Sequence, residues 1–257
     1  MTDELYVQKQ GKIAVLVINR PQKKNAFTLA MFQKLKAILD ELETDQEIRV
    51  LIIRGVDETA FSAGADIHEF LEIRFSEEKA KKYNDVALAA VEKLYRFSRP
   101  TIALIQGLAI GGGLELANAC DFRFATENSQ LGITAANIGI VYNLTSTKRL
   151  YHLVGPAKTK ELLYTAKRIS ALEGKAIGLV DYLYPNEEIE EKCLQFAEQI
   201  ITKSSVSIIG MKKVIQAIMD GEHEESEEIS EMILSSYSSD DYKEGIQAFI
   251  EKRNSRF

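Results

Sequence analysis

Short apolar runs alternate with longer amphipathic segments along most of this chain. Helices are predicted where apolar residues recur every three or four positions, first after Thr28 as N-cap and again from Ser76 to about Phe97. The alternation of strands with helices is typical of an α/β fold. Buried strands are predicted where aliphatic and β-branched residues follow one another, at residues 12–18, 50–53, 101–105, 122–125 and 179–184.

From Glu187 onward the pattern is helical to the end of the chain, with Gly221 as a break. We therefore divide the chain into a core at residues 1–186 and a helical region at residues 187–257. Within that region Ile208, Met211, Ile215 and Ile218 form an apolar stripe. Such a stripe indicates either core packing or a contact between subunits, and burial statistics favour the core.

Composition narrows the classes of partner. The 257 residues carry a net charge of −6, which argues against nucleic acid, because phosphate binding needs a basic face. No apolar run approaches the roughly 20 residues of a membrane helix, and the N-terminal residues lack a signal-peptide pattern. Cys120 and Cys193 have no metal or redox spacing, so we expect reduced, buried thiols in the cytoplasm. The three histidines are scattered, and we assign no metal site.

Two glycine-rich segments carry the strongest chemical signal. One is Phe61-Ser-Ala-Gly-Ala-Asp-Ile-His-Glu69, and the other is Gln106-Gly-Leu-Ala-Ile-Gly-Gly-Gly-Leu-Glu115. The second follows a predicted strand and starts a helix, so its amide dipoles point toward whatever binds there. Two N–H groups that converge on one oxygen form an oxyanion hole, which stabilises charge on a carbonyl. The plainer alternative is a pair of tight turns.

These segments resemble those of the crotonase (enoyl-CoA hydratase/isomerase) superfamily. Asn19-Arg-Pro-Gln-Lys-Lys-Asn-Ala-Phe27 is similar to its N-terminal signature, and Ala248-Phe-Ile-Glu-Lys-Arg253 to its C-terminal CoA-contacting helix. The resemblance implies a spiral of β–β–α turns with a C-terminal helical region that forms trimers or a dimer of trimers. It also implies an acyl-CoA substrate, with no cofactor besides the coenzyme A that the substrate carries.

Residue roles follow from the same resemblance. The N–H groups of Ala65 and Gly112 would be the oxyanion donors. Lys252 would reach the CoA nucleotide of a neighbouring subunit, while the backbone of residues 63, 66 and 67 would meet the adenine. Lys23, with Lys24 beside it, would contact CoA phosphates or be a solvated surface charge. The residues assigned to the CoA thioester are Lys23, Ala26, Ala63, Asp66, Ile67 and Lys252.

The catalytic side chains depart from the hydratase pattern. Hydratases of the family use two glutamates, of which Glu115 matches one, whereas the second falls at Ala135. Alanine carries no proton, so ordinary hydration is expected to be impaired. Glu115 itself could be catalytic, or it could cap N–H groups one turn into its helix.

The segment Thr134-Ala-Ala-Asn-Ile-Gly-Ile-Val-Tyr-Asn143 resembles the methylmalonyl-CoA decarboxylase branch instead. In that branch a tyrosine faces the departing carboxylate, which places this role on Tyr142, with Thr134 and Asn137 as neutral donors. Loss of CO₂ supplies the electrons of the enolate, so this reaction needs no general base. The simpler alternative is that Tyr142 only packs in a wall.

The leading hypothesis is therefore a crotonase-fold lyase that decarboxylates a methylmalonyl-CoA-like thioester. The alternative is an enoyl-CoA hydratase/isomerase of altered specificity that uses the single Glu115. A non-catalytic CoA- or RNA-binding relative is less favoured, and thioester hydrolysis stays open.

Overall fold

The computed structural model describes residues 3–257, apart from the side chain of Leu71. The strands are β1 (Leu5–Gln10), β2 (Ile13–Ile18), β3 (Val50–Gly55), β4 (Ala60–Ser62), β5 (Thr101–Ile105), β6 (Leu108–Ile110), β7 (Phe122–Thr126), β8 (Gln130–Gly132), β9 (Arg168–Ser170) and β10 (Tyr182–Tyr184). The helices are α1 (Leu29–Thr44), α2 (Ile67–Ile73), α3 (Glu77–Tyr95), α4 (Gly112–Ala119), α5 (Leu144–Thr165), α6 (Ala171–Ala176), α7 (Ile189–Ile201), α8 (Ser205–Asp220), α9 (Glu227–Ser236) and α10 (Asp240–Glu251).

A six-stranded sheet in the order β1-β2-β3-β5-β7-β10 carries the core. Its strands are parallel except for the antiparallel pair β1–β2. Every residue of β2 is buried, because the sheet is covered on both faces. Leu16 and Ile18 pack into the cluster that holds α1, whereas Val15 and Val17 pack against α7.

The other strands form a smaller sheet in the order β4-β6-β8-β9. The first turn, β1–β2–α1, gives both strands to the large sheet. The next three turns, β3–β4–α2, β5–β6–α4 and β7–β8–α5, each give one strand to the large sheet, the next strand to the small sheet, and then a helix. This is the predicted spiral of β–β–α turns. Strands β4 and β6 are parallel neighbours, so the segments that leave their carboxyl ends emerge side by side. Those segments are the two glycine-rich loops.

The predicted helix starts are confirmed in detail. Thr28 Oγ1 accepts a hydrogen bond from Met31 N–H at 3.2 Å, and Ser76 Oγ accepts one from Lys79 N–H at 3.3 Å. The predicted strand at 179–184 is shorter than expected, since β10 spans only Tyr182–Tyr184. The preceding residues 179 and 180 donate instead to Gly174 O, at 2.8 and 3.2 Å, in the turn after α6.

The apolar stripe predicted in the C-terminal region lies on the surface of α8. Met211, Ile215 and Ile218 are 56%, 57% and 65% exposed on α8, so the core interpretation is wrong for them. Helical periodicity reveals an apolar face but not what covers it. Cys120 and Cys193 are buried free thiols, as predicted. Among residues 3–257 no helix is long and apolar enough to cross a membrane.

Candidate active site

The first glycine-rich loop leaves β4 and is held by the segment between β2 and α1. Phe27 N–H donates to Gly64 O at 2.7 Å, and Asp66 N–H donates to Phe27 O at 2.8 Å. Ala65 lies between these two bonded positions, and its own N–H has no acceptor among residues 3–257. The pairing therefore fixes the loop and leaves one amide directed elsewhere.

Asn25 organises this attachment and was missed as a positioning residue in the sequence. It is fully buried, with φ of 56°, a conformation that asparagine tolerates better than most residues. Its Oδ1 accepts from Arg20 N–H at 2.8 Å, and its Nδ2 donates to Ala60 O at 2.6 Å. Ser62 Oγ also donates to Asn25 O at 2.8 Å. The only signal in the sequence was its place in the N-terminal signature.

An ion pair secures the end of the same loop. Arg20 Nη1 donates to Asp66 Oδ2 at 2.7 Å, and Asp66 Oδ1 accepts the His68 N–H at 3.0 Å, which caps α2. Burial alone raises the pKa of the Asp66 carboxyl, but the Arg20 hydrogen bond and charge hold that pKa below its usual range. The side chain of Asp66 therefore holds the end of the first loop in place, through Arg20 and the N-terminus of α2.

The second loop leaves β6 and becomes the first turn of α4. Gly111 N–H donates to Gly132 O at 2.8 Å, and α4 begins at Gly112. The first N–H groups of a helix have no intrahelical acceptor, and within the described chain that of Gly112 has no other. A methyl group on Gly113 would lie 2.1 Å from Ser62 O, so only glycine allows α4 to approach the first loop this closely.

The two loops meet at one cavity of about 190 Å³. A methyl group on Gly112 would lie 3.6 Å from Ala65 N, and one on Gly64 would lie 3.1 Å from Gly112 N. Ala65 and Gly112 both line the cavity. Two backbone donors without protein acceptors therefore adjoin a space that a small ligand can enter.

Glu115 lies one turn into α4 and lines the same cavity. Ser146 Oγ, in the first turn of α5, donates to Glu115 Oε1. Desolvation raises the pKa of the Glu115 carboxyl, although the Ser146 hydrogen bond and the charge of Arg149 act in the opposite direction. A carboxyl with a raised pKa is suited both to hold and to release a proton.

Tyr142 stands beside Glu115 in the cavity wall. Its hydroxyl is buried close to Ser146 and Glu115, but within the described residues it makes no hydrogen bond of good geometry. Burial, together with the nearby Glu115, raises the pKa of the Tyr142 phenol well above its ordinary value. The hydroxyl is therefore a neutral group with unused hydrogen-bonding capacity at a ligand cavity.

The remaining predicted residues fall into two groups. Thr134 lines the cavity, and so do Ala63 and Ile67. Ala135, where the second hydratase glutamate would stand, also lines it and adds no acid. Asn137 is exposed on the 3₁₀ turn Ala135–Ile138 and is not part of the lining.

The assigned CoA contacts outside the cavity are more dispersed. Lys23 is exposed beside the Asn25 segment, and Lys252 is exposed at the C-cap of α10. Ala26 is buried, and its carbonyl accepts from Arg20 Nη1 at 3.0 Å. Lys23, Ala26 and Lys252 thus lie outside the cavity lining.

Aromatic side chains and an arginine form another wall of the cavity. We call Ala65, Gly112 and Glu115 the amide wall, and Phe70, Arg74 and Tyr83 the aromatic wall. Phe70 comes from α2, Arg74 is its C-cap, and Tyr83 comes from α3. No sequence pattern indicated the aromatic wall, because the composition of α2 and α3 does not show which of their side chains face a cavity.

The β–β–α spiral with its paired glycine loops defines a crotonase-type fold. The sequence profile described as enoyl-CoA hydratase/isomerase matches residues 8–257, and the chain belongs to this family. It is 33% identical over 256 residues to a short-chain-enoyl-CoA hydratase of Clostridium acetobutylicum, covering 98% of this chain and 96% of that protein. A crotonyl-CoA hydratase of Syntrophomonas wolfei is also 33% identical over 256 residues, with 99% and 98% covered.

Solved structures agree with the sequence relatives. An enoyl-CoA hydratase/carnithine racemase from Magnetospirillum magneticum superposes with a TM-score of 0.95 at 30% identity, covering 100% of this chain and 96% of that one. An enoyl-CoA hydratase from Bacillus anthracis gives a TM-score of 0.90 at 33% identity, covering 99% of both chains. The names of these relatives favour the hydratase/isomerase alternative over the decarboxylase hypothesis, which remains a prediction.

Proposed function

We propose that this protein is an enoyl-CoA hydratase/isomerase that uses Glu115 as its single carboxyl acid/base. The observation that carries the proposal is the raised pKa of a cavity-lining carboxyl next to two unbonded amides. The family and the names of the relatives support the same reaction class.

The amides of Ala65 and Gly112 would bind the thioester oxygen. Negative charge develops on that oxygen when the α-carbon loses a proton or when water adds at the β-carbon. Gly112 begins a helix, so the dipole of α4 adds to the stabilisation. Backbone donors fixed by neighbouring hydrogen bonds need little reorganisation during the reaction.

Glu115 would then transfer the proton. Water addition requires a group that takes a proton from water and one that returns a proton to the α-carbon. One carboxyl can perform both steps in sequence if it faces both carbons. The same carboxyl can move a proton between the α- and γ-carbons, which is the isomerase reaction. Because residue 135 is alanine, Glu115 is the only carboxyl among the described residues that line the cavity. We therefore expect slower hydration than a two-glutamate site allows.

The test follows crotonyl-CoA hydration in ¹⁸O-labelled water by mass spectrometry, with Ser146→Ala as a variant that keeps the carboxyl but loses its hydrogen bond. We expect product carrying one label, and reduced but measurable turnover in Ser146→Ala. Absence of water addition and of double-bond migration in the intact protein would refute the proposal.

Decarboxylation is the second candidate, favoured by the unpartnered hydroxyl of Tyr142. A neutral phenol can orient a substrate carboxylate, and Thr134 lies in the same cavity. Glu115 beside Tyr142 weighs against it, because an ionised carboxylate there repels a second one.

Methylmalonyl-CoA assayed in parallel for CO₂ release separates the two candidates. If decarboxylation is the reaction, Tyr142→Phe should slow it by roughly 1.5–3 kcal/mol, or about ten- to a hundredfold, through loss of one hydrogen bond to a charged group. Crotonyl-CoA turnover by Tyr142→Phe is the control. Equal loss with both substrates would make Tyr142 a packing residue.

Self-association is part of the proposal. Apolar side chains remain exposed on α8, α9 and α10, among them Met211, Ile215, Leu234, Phe249 and Ile250. Burial of such a surface is the usual driving force for oligomers. Lys252 of a neighbouring subunit would reach the nucleotide of the CoA, and Lys23 of the subunit that binds this CoA would contact its phosphates. Sedimentation equilibrium distinguishes a trimer or dimer of trimers from a monomer, which would refute this assembly.

A further inference from the structure

The aromatic wall holds a guanidinium whose hydrogen-bonding edge is unused. The Cζ of Arg74 lies 4.4 Å from the ring centroid of Phe70 and 5.1 Å from that of Tyr83. The two rings are themselves edge-to-face, with centroids 5.7 Å apart. Cation–π contacts engage the flat face of a guanidinium, whereas its five N–H donors point outward in the plane.

Those donors have no partner within the part of the chain that the structure describes. Among residues 3–257 no carboxylate lies within the 4.0 Å that defines an ion pair with Arg74, and no hydrogen bond from its side chain is formed. Desolvation lowers the pKa of the Arg74 guanidinium, but an arginine keeps its charge in proteins. A partly desolvated charge without a counter-ion is unfavourable unless something else pairs with it.

The hydroxyl of the neighbouring Tyr83 also lacks a hydrogen-bond partner among the described residues. Tyr83 is 3% exposed, and its hydroxyl is buried without a hydrogen-bond partner in the described chain. Burial raises the pKa of the Tyr83 phenol, so the hydroxyl stays protonated and can donate. A guanidinium and a phenol without acceptors therefore share one wall of the cavity.

Nearby carboxylates are already committed to the fold. Asp66 pairs with Arg20 at 2.7 Å, and Glu69 Oε2 accepts the Leu29 N–H at 2.8 Å. Neither carboxylate forms an ion pair or a hydrogen bond with Arg74. A ligand in the cavity can therefore supply the complementary group for Arg74 and Tyr83, and a carboxylate matches the fork of an arginine best.

We propose that Arg74 and Tyr83 bind a carboxylate at the distal end of the acyl chain, so that the substrate is the CoA thioester of a dicarboxylic acid. This rests on the proposed function, since it needs the thioester at the amide wall. Both walls line one cavity, so an acyl group bound at the amide wall shares its space with Arg74 and Tyr83.

Binding tests the proposal without any turnover. Calorimetry would compare glutaryl-CoA with valeryl-CoA and adipoyl-CoA with hexanoyl-CoA, pairs that match in carbon number and differ in the terminal carboxylate. We expect the charged member of at least one pair to bind more tightly. Arg74→Met should erase that preference, weakening the charged thioester about 10- to 100-fold more than the neutral one.

Two further variants sharpen the result. Arg74→Lys keeps a charge but loses the planar fork, so its preference should be intermediate. Lys79→Met is the matched control, because Lys79 also stacks on an aromatic ring, 4.3 Å from the centroid of Phe75, but does not line the cavity. It should retain the full preference for the charged thioester.

The outcomes are distinguishable. Equal affinity within both pairs would overturn the subsite, and so would equal weakening of both members by Arg74→Met, which would make Arg74 a stacking residue. A preserved charge preference without hydration of either crotonyl-CoA or its dicarboxylic counterpart glutaconyl-CoA would refute the proposed reaction and leave the subsite standing.

Discussion

The amide wall and the aromatic wall face one cavity but are built by opposite means. On the amide wall the donors are backbone groups, fixed by hydrogen bonds from Phe27 and Gly111 to neighbouring strands and loops. On the aromatic wall the polar atoms are the ends of side chains held only by ring contacts. With the two roles proposed above, the reaction and the choice of acyl group would be separable in this fold. Substitutions should therefore affect rate on the first wall and selectivity on the second.

The largest effect is expected from Glu115→Gln. Glutamine keeps the shape and a hydrogen bond to Ser146 but carries no exchangeable carboxyl proton, so hydration of crotonyl-CoA should fall by about 10²- to 10⁴-fold. Turnover and thioester affinity are measured together, and affinity should change far less. Turnover near that of the intact protein would assign Glu115 a purely structural role.

Gly112→Pro should follow, with a loss on the order of 10²-fold or more in turnover, because one oxyanion donor disappears. Proline is tolerated at the first position of a helix, so the fold should persist. Gly112→Ala is the matched control, since its methyl group would lie 3.6 Å from Ala65 N, an ordinary contact, and the N–H remains. Equal activity of the two variants would place the donor elsewhere.

Gly113→Ala tests the packing behind the amide wall. Its methyl group would lie 2.1 Å from Ser62 O, so the loops must separate, at roughly 1–3 kcal/mol of unfolding free energy. Gly210→Ala on α8 is the control, because its methyl group would only touch Met232 Sδ at 3.6 Å. There the higher helix propensity of alanine should leave stability equal or raised. Urea unfolding measures the stability of both variants. An unchanged unfolding free energy in Gly113→Ala would contradict the close approach of α4 to Ser62.

The smallest expected effect is on the pH dependence of folding stability, which should differ between a residue of the amide wall and a residue of the aromatic wall. The Glu115 carboxyl has a folded pKa raised from 4.5, so the unfolded chain releases this proton first as pH rises. Its stabilising contribution is complete below about pH 4.5 and is lost as pH rises through the folded pKa. The stability of the intact protein relative to Glu115→Gln should therefore fall as the pH rises above about 4.5.

The same urea titrations on Arg74→Met supply the contrast. Arginine stays charged across this range, so the stability difference between intact protein and Arg74→Met should be constant with pH. A constant difference for Glu115→Gln as well would mean that desolvation does not govern this carboxyl.

Much of the fold was predictable because local physics and tertiary structure agree. The fully buried β2 needs an uninterrupted apolar run, and α1 and α3 need hydroxyl caps, so both features are written in the sequence. The exposed apolar face of α8 was misjudged, since periodicity does not distinguish a protein core from a subunit interface. Strand β10 was overextended for a similar reason, because buried residues 179 and 180 belong to a turn.

The candidate site divides in the same way. Glycines at 64 and 113 are required by close backbone approach, and such requirements leave a visible pattern. The direction of Asn137 depends on the 3₁₀ turn that carries it, and alignment of residue types alone does not determine that turn. Arg74 and Tyr83 reach the cavity only because α2 and α3 pack across it, which no local pattern encodes.

The backbone origin of the amide wall has a consequence for how the sequence can drift. Ala65, the proposed donor, would contribute only its backbone N–H to the donation, so this position should accept many replacements. Its silent neighbour Gly64 cannot, since a methyl group there would lie 2.7 Å from Ile110 O. In a saturation library, positions 64 and 113 should tolerate almost nothing while position 65 varies. Mutational intolerance in this protein would then mark the scaffold of the reaction rather than the atoms that perform it.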